Sequence, residues 1–400
     1  MDRQQVVNFG AGPSALPTSV LEKAAKGLLN YNDNGIGLVE LSHRSKDFAK
    51  LNDDLESIIR TQLDVPSTHH ILFTQGGGSG QFSSVVMNLL ARHTLLHPDL
   101  KPEERVMDYI VTGSWSKKAY EEANRLAGGK AVANLVVDAR RTSKDGKSFD
   151  NVPQPSEWKL SPAANTAFIY YCENETVDGV QFSDSSFPHH LLENSFNPPL
   201  VADYSSSFMS RPIPRIADHA LIFAGAQKNI GPSGLTILIV RNDVLVDVDA
   251  AYKLGANPVP LTMAYKTLAD SKSLYNTPPM FAMYVSLLVL QDIQAKGGLG
   301  PLEEVNRRKQ AILYEVLEGY EEKGILKLKV QKGSRSWMNV TFEFVDKQVE
   351  KAFLESAESK GLKQLKGHRS VGGIRVSLYN AITEEQVKSL ISVLHASLGA

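Results

Sequence analysis

One cysteine, Cys172, is all that this 400-residue chain carries. A single thiol forms no intramolecular disulfide and leaves no multi-cysteine zinc site, and no metal is expected. Charge of one sign is lacking too: 43 Lys and Arg stand against 44 Asp and Glu, a formal net charge of −1. No global field therefore draws the chain to nucleic acid or an anionic membrane, and basic residues matter only where they cluster. No apolar run approaches the roughly 20 residues that span a bilayer. The opening MDRQQVVNFGAGPSALP has neither the apolar core of a secretory signal nor the Arg/Ser-rich character of a transit peptide. These absences predict a cytoplasmic protein with no nucleic-acid or membrane partner.

What remains is ordinary globular composition, 42% hydrophobic and 22% charged, in a chain long enough for more than one domain. Short apolar runs at 69–75, 108–113, 133–137, 166–174, 199–203, 220–225 and 234–240 read as strands. After the first, Phe82, Val85, Val86, Leu89 and Leu90 repeat at helical spacing, and a second helix is expected over about 116–126. Nearly continuous apolar strands alternating with helices predict an α/β fold whose mostly parallel central sheet is covered by helices. From about residue 280 the texture becomes α+β. Helical patterns at 280–296 and 302–320 lead into strands in KLKV and WMNVTFEF, a helix at 347–360, a strand in GIRVSL and a last helix from Thr383. The expected division is an N-terminal segment 1–15 packing with the small domain, a large domain 16–275 and a small α+β domain 276–400, with Tyr275–Pro279 as the linker.

In an open parallel sheet, ligands bind beyond the carboxyl ends of the strands. There stand Asp203, Lys228, the Gly76-Gly77-Gly78-Ser79-Gly80-Gln81 turn that opens a helix, and Glu175-Thr176. Pyridoxal phosphate (PLP) requires a lysine amine for its Schiff base, a carboxylate for its pyridinium nitrogen and an anion site for its phosphate. Lys228, Asp203 and the glycine-rich turn, with amides converging at a helix start, are candidates for the three. Each has a plainer reading: a solvated surface lysine, a helix-capping aspartate and an unspecific turn. The turn lacks the Lys-Ser/Thr of a Walker loop and is no clean dinucleotide fingerprint.

Gly-Ala-Gln-Lys-Asn-Ile-Gly-Pro-Ser-Gly at 225–234 closely resembles the cofactor-lysine motif of the phosphoserine aminotransferase family, class V enzymes of PLP fold type I. The resemblance runs nearly end to end. It takes in Asn-Phe-Gly-Ala-Gly-Pro (8–13), Ser-His-Arg (42–44), Gly-Gly-Gly-Ser-Gly-Gln-Phe (76–82) and Gly-Ser-Trp (113–115). It continues through Asn-Glu-Thr-Val-Asp-Gly (174–179), Ala-Asp-Tyr-Ser-Ser (202–206), Tyr-Asn-Thr-Pro-Pro (275–279) and Gly-His-Arg-Ser-Val-Gly-Gly-Ile-Arg (367–375).

The resemblance implies the PLP-dependent transferase fold type I and transamination of 3-phosphohydroxypyruvate with L-glutamate. It makes Lys228 the Schiff-base lysine and Asp203 the partner of the pyridinium nitrogen. Trp115 is implied as the ring-stacking aromatic and Thr176 as partner of the cofactor's phenolic oxygen, with Gly78, Ser79 and Gln227 at the phosphate. Asn276 and Thr277 are similar to residues that reach the neighbouring subunit's cofactor, which implies a homodimer with shared sites. Arg375 is similar to the residue that grips the α-carboxylate with two prongs, a geometry Lys does not offer. His43, Arg44, His368 and Arg369 resemble a second anion pocket, the first pair contributed across the dimer; their plain reading is surface charge.

Rival readings differ at named residues. A cysteine desulfurase needs a reactive thiol on a mobile loop, whereas Cys172 sits in an apolar strand pattern. A class V transaminase for serine, alanine or glyoxylate has no use for two His-Arg pairs. A non-enzymatic nucleotide-binding regulator would want a cleaner phosphate motif than 76–81.

Overall fold

The computed structural model describes residues 2–182, 187–192 and 198–399. Its central sheet is built from β1 (His69–Thr74), β2 (Val106–Val111), β3 (Val132–Asp138), β4 (Thr166–Cys172), β5 (Leu200–Asp203), β6 (His219–Gly225) and β7 (Thr236–Arg241), lying in the order β1-β7-β6-β5-β4-β2-β3. The pairs from β6 through β5, β4 and β2 to β3 are parallel, and β7 runs antiparallel to both β6 and β1. The expected mostly parallel sheet is present. β4 and β6 are buried at every position, as continuous apolar strands covered on both faces must be.

Alternation along each strand divides the sheet's side chains between two cores. Ile71 and Phe73 face α1 (Thr18–Leu29) and α2 (Lys46–Leu63), packing with Leu51, Leu55 and Ile59. Leu72, Tyr109 and Phe168 face α3 (Gly77–Leu96) and α4 (Ser114–Ala127), packing with Val85, Leu89, Ala119 and Ala123. α5 (Met280–Ala295) adds Met283, Val289 and Leu290 to the first of these cores. By packing, the chain therefore stays with the large sheet to about Leu299, past the division expected at 275/276.

A separate core follows. α6 (Leu299–Glu322), α7 (Lys347–Ser359) and α8 (Glu384–Ser397) accompany an antiparallel sheet of β8 (Leu326–Leu328), β9 (Asn339–Phe344) and β10 (Ile374–Ser377). Leu317, Phe342, Phe353, Val376 and Leu390 fill it. Thr383 caps α8 with a reciprocal Gln386 contact, which is why the last helix begins there. Early in the chain, Val7–Asn8 pairs in parallel with Leu362–Lys363, and Phe9 is buried in this second core. Among the described residues no helix is long and apolar enough to cross a membrane.

Candidate active site

Strand direction brings the carboxyl ends of β1, β2, β4, β5 and β6 to one edge, and the start of β7 joins them. Register aligns Thr74, Thr236 and Gly225, and sets Asp203 beside Cys172 and Phe223. The chemistry-bearing residues follow directly on these strand ends.

Lys228 lies buried just past β6, and its Nζ donates to the Thr176 hydroxyl oxygen at 3.2 Å. Burial pulls its pKa down to about 8; the nearby Asp203 charge opposes that shift and the Arg375 charge adds to it. Asp203, at the end of β5, accepts the Ser205 amide at 2.8 Å. Burial pushes its carboxyl up, against the Ser205 hydrogen bonds and the Lys228 charge, which favour the ionised form. Arg375, on β10, crosses from the small sheet to donate from Nη1 to the Thr176 carbonyl at 3.2 Å. Thr176 thus ties the lysine, through its hydroxyl, to the arginine, through its carbonyl.

The glycine-rich turn opens α3 at the same edge of the sheet. Gly76 and Gly77 have φ of 101° and 60°, a backbone path that favours glycine, and α3 begins there. The Gly77 amide donates to Thr236 Oγ1 at 2.8 Å and that of Gly80 to the Gly76 carbonyl. The amides of Gly78 and Ser79 take no acceptor among the described residues, as expected in a helix's first turn. Gln227, next to Lys228 in sequence, folds its side chain over Gly225, where a Cβ would stand 2.5 Å from its Oε1. The buried hydroxyls of Thr112 and Tyr170 also lack partners. Free helix-start amides, a buried amine of lowered pKa and a buried carboxylate together fit the phosphate, aldehyde and ring nitrogen of PLP. No group of three or more His, Cys, Asp or Glu placed to hold a metal ion occurs among the described residues.

Trp115 stands in the first turn of α4, half-buried, with its ring 6.5 Å from that of Phe82 and Lys118 Nζ 4.4 Å above it. His368 is half-buried, paired with the Ser370 hydroxyl at 2.6 Å, and its pKa is lowered by burial and by the charges of Arg375, Lys118 and Arg369. Arg369 is exposed. His43, Arg44, Asn276 and Thr277 form a different group: His43 Nδ1 lies 3.5 Å from Thr277 Oγ1, while Arg44 and Asn276 are exposed. The Thr277 carbonyl accepts from Gln75, next to the glycine-rich turn, at 3.1 Å. Among the described residues of one chain, none of these four hydrogen-bonds to Lys228 or Arg375.

Four contacts around the site were not legible in the sequence. Lys118, one helical turn past Trp115, adds a cation near His368. Glu175 and Asp178, three apart after β4, accept the opening amides of α4. Ser14 donates from its amide to the Gln227 carbonyl at 3.1 Å, and its hydroxyl meets the Lys228 carbonyl. Gly12, at φ 131°, lies against the lysine side chain, where a Cβ would stand 2.8 Å from Lys228 Cδ. Gly12, Glu175 and Asp178 belong to the 8–13 and 174–179 motifs, which gave no hint of these contacts, and Lys118 and Ser14 lie outside both. Cys172 is buried with its thiol pushed up by burial and by neighbouring carboxylates, unlike a desulfurase nucleophile.

Known proteins resemble this arrangement throughout. A phosphoserine aminotransferase of Ectopseudomonas mendocina is 39% identical over 393 residues, covering 98% of this chain and 97% of its own length. A solved phosphoserine aminotransferase from Bacillus circulans subsp. alkalophilus superposes with a TM-score of 0.85 at 34% identity, covering 98% of each chain. A PLP-bound phosphoserine aminotransferase from Trichomonas vaginalis superposes at 0.83, also 34% identical, over 97% of this chain and 99% of its own. The family described as Aminotransferase class-V matches residues 6–390. On that span, and on relatives this similar over nearly their whole length, the chain belongs to the class-V aminotransferases.

Proposed function

We propose that the chain is a PLP-dependent phosphoserine aminotransferase. It reversibly converts 3-phosphohydroxypyruvate and L-glutamate into O-phospho-L-serine and 2-oxoglutarate, the amino-transfer step of L-serine biosynthesis. The observation that carries this reading is the buried Lys228 amine, tied through Thr176 to Arg375, in a chain whose relatives bear that name.

Bound at this edge, PLP supplies an aldehyde that links to an amine and a protonated ring that takes up the electron pair left on the substrate's Cα. The chain's residues divide the remaining work. Lys228, with its pKa near 8, has an appreciable neutral fraction at physiological pH, so its Nζ can accept the Cα proton and return it. Asp203 stays ionised when a positive nitrogen arrives beside it, because an opposite charge lowers a carboxyl's pKa. The Gly78 and Ser79 amides, with Gln227, take the phosphate, and Thr176 holds the phenolic oxygen. Trp115 covers the ring face; stacking is worth about 0.5–1.5 kcal/mol beyond burial, which positions but does not catalyse.

Donor and acceptor use one site in turn. Arg375 takes the carboxylate common to both. His43, Arg44, His368 and Arg369, with Lys118 added, form the pocket for the other end, a γ-carboxylate or a phosphate of nearly two negative charges. We infer a homodimer in which His43, Arg44, Asn276 and Thr277 serve the neighbouring subunit's site. Supporting this, Leu29, Ile36, Val39 and Tyr275, in the same two stretches of chain, are exposed apolar residues.

Half-reactions with phosphoserine, glutamate, serine and alanine test the reading. A charge-assisted hydrogen bond contributes about 1.5–3 kcal/mol, so the two anionic donors should react roughly one to two decades faster. Equal turnover of serine and phosphoserine would overturn the substrate assignment. Borohydride should fix the cofactor to Lys228, and a preparation that stays colourless with added PLP would overturn the cofactor assignment.

A further inference from the structure

The start of α4 is closed from a distant part of the chain. Its N-cap is Gly113, which has no side chain to offer. The Trp115 amide donates instead to Glu175 Oε2 at 2.8 Å, and the Ser116 amide and hydroxyl donate to Glu175 Oε1 at 2.8 and 2.5 Å. The Ser114 amide donates to Asp178 Oδ2 at 2.7 Å. Gly113 is there for space: its φ of −171° is plain extended backbone, but a Cβ would stand on the Glu175 side chain, 2.6 Å from Oε2.

This is a costly way to start a helix. A serine or aspartate at the N-cap would contribute about 1 kcal/mol without burying two neighbouring carboxyls. Both acids are buried, and each carboxyl is pushed up by that burial. What the arrangement secures is location. The Trp115 ring is only half-buried against the α3/α4 core, 6.5 Å from Phe82 and with Lys118 Nζ above it, so the main chain beneath shares in setting where it stands.

The turn that carries the two acids is itself anchored. The Gly179 amide donates to the Glu175 carbonyl at 2.8 Å, Thr341 Oγ1 donates to the Asp178 carbonyl at 3.0 Å, and Asn174 Nδ2 donates to Asn339 Oδ1 at 2.9 Å. Between the acids lies Thr176, partner of Lys228 and Arg375. We propose that Glu175, assisted by Asp178, is a positioning residue for the aminotransferase site: its carboxyl group locks the start of α4, and with it the Trp115 ring, to the turn that holds Lys228 through Thr176. The inference rests on the functional reading above.

Glu175→Gln tests it. The substitution keeps volume and one acceptor, but turns an NH2 group toward amides that need an acceptor. In the chain without cofactor, the Trp115 and Ser116 amides should exchange with solvent about tenfold faster, while amides of 119–127 change less than about twofold. With PLP added, the induced circular dichroism of the cofactor band should fall by more than about half, and kcat about tenfold with KM for glutamate nearly unchanged. Wild-type exchange and dichroism in this variant would overturn the proposal. Should it fail to fold, Glu175→Asp, which keeps the charge but withdraws the oxygens by one methylene, must show the same changes in smaller measure; wild-type values there would overturn it equally. A wild-type chain that neither colours with PLP nor transaminates would refute the functional reading, and amide exchange would still judge the clamp.

Discussion

Arg375 rests on the main-chain carbonyl of Thr176, 3.2 Å from Nη1, across 199 residues of sequence. In the proposed site a substrate carboxylate would compete for that guanidinium with a neutral acceptor, and a charge-assisted pair is roughly twice as strong. Arg375→Lys keeps the charge and loses the fork. We expect kcat/KM for glutamate and phosphoserine to fall about a hundredfold, in line with the ~1.5–3 kcal/mol of a charged hydrogen bond. Steady-state kinetics with both donors measures it; a loss under about threefold would remove Arg375 from carboxylate binding.

Gly113→Ala should be destabilising through crowding alone. The methyl would meet Glu175, which cannot retreat without releasing the α4 amides. A loss of about 1–3 kcal/mol is expected from urea unfolding. A variant as stable as the parent would show that the turn yields easily.

Lys309 is wholly buried in α6 and donates from Nζ to the carbonyls of Leu378, Tyr379 and Ile382 at 2.9–3.0 Å. Those three acceptors match the three protons of an ammonium, while burial pulls the pKa from 10.5 to about 7. Below about 7 both folded and unfolded chains hold the proton, and the burial cost is fully present. Between there and 10.5 the unfolded chain binds more protons, so this group makes stability rise with pH. Lys309→Met should lower stability by about 2–5 kcal/mol by orphaning three carbonyls. The gap between parent and variant should widen from pH 7 toward pH 10; a flat gap would contradict the shift.

Shared sites can be tested by mixing. Arg44→Ala and Lys228→Ala chains should each be nearly inactive. Unfolded and refolded together in equal amounts, they should recover about a quarter of parental activity, because half the dimers are mixed and each has one intact site. No recovery would place Arg44 in its own subunit's site.

The strands were legible because each is a short apolar run with no competing period, and Asp203 and Lys228 because a parallel sheet collects its strand ends. The direction of β7 was not, since an apolar strand reads alike both ways. α5 is apolar around most of its surface, so periodicity could not say which core it joins. Lys309 follows Arg307 and Arg308 in a helix rich in Glu, where one buried cation looks like its solvated neighbours. Glu175 and Asp178 show their purpose only against amides some 60 residues away, a pairing that no local pattern encodes.

The short pairing of Val7–Asn8 with Leu362–Lys363 has a consequence for synthesis. Residues 7 and 8 are made long before the strand they join, and the nearby Gly12 and Ser14 lie along Lys228. A growing chain can assemble the sheet around the lysine early, yet this wall gains its β partner only once Leu362 and Lys363 have been made. The surroundings of Lys228 are therefore finished by residues made well after the lysine itself.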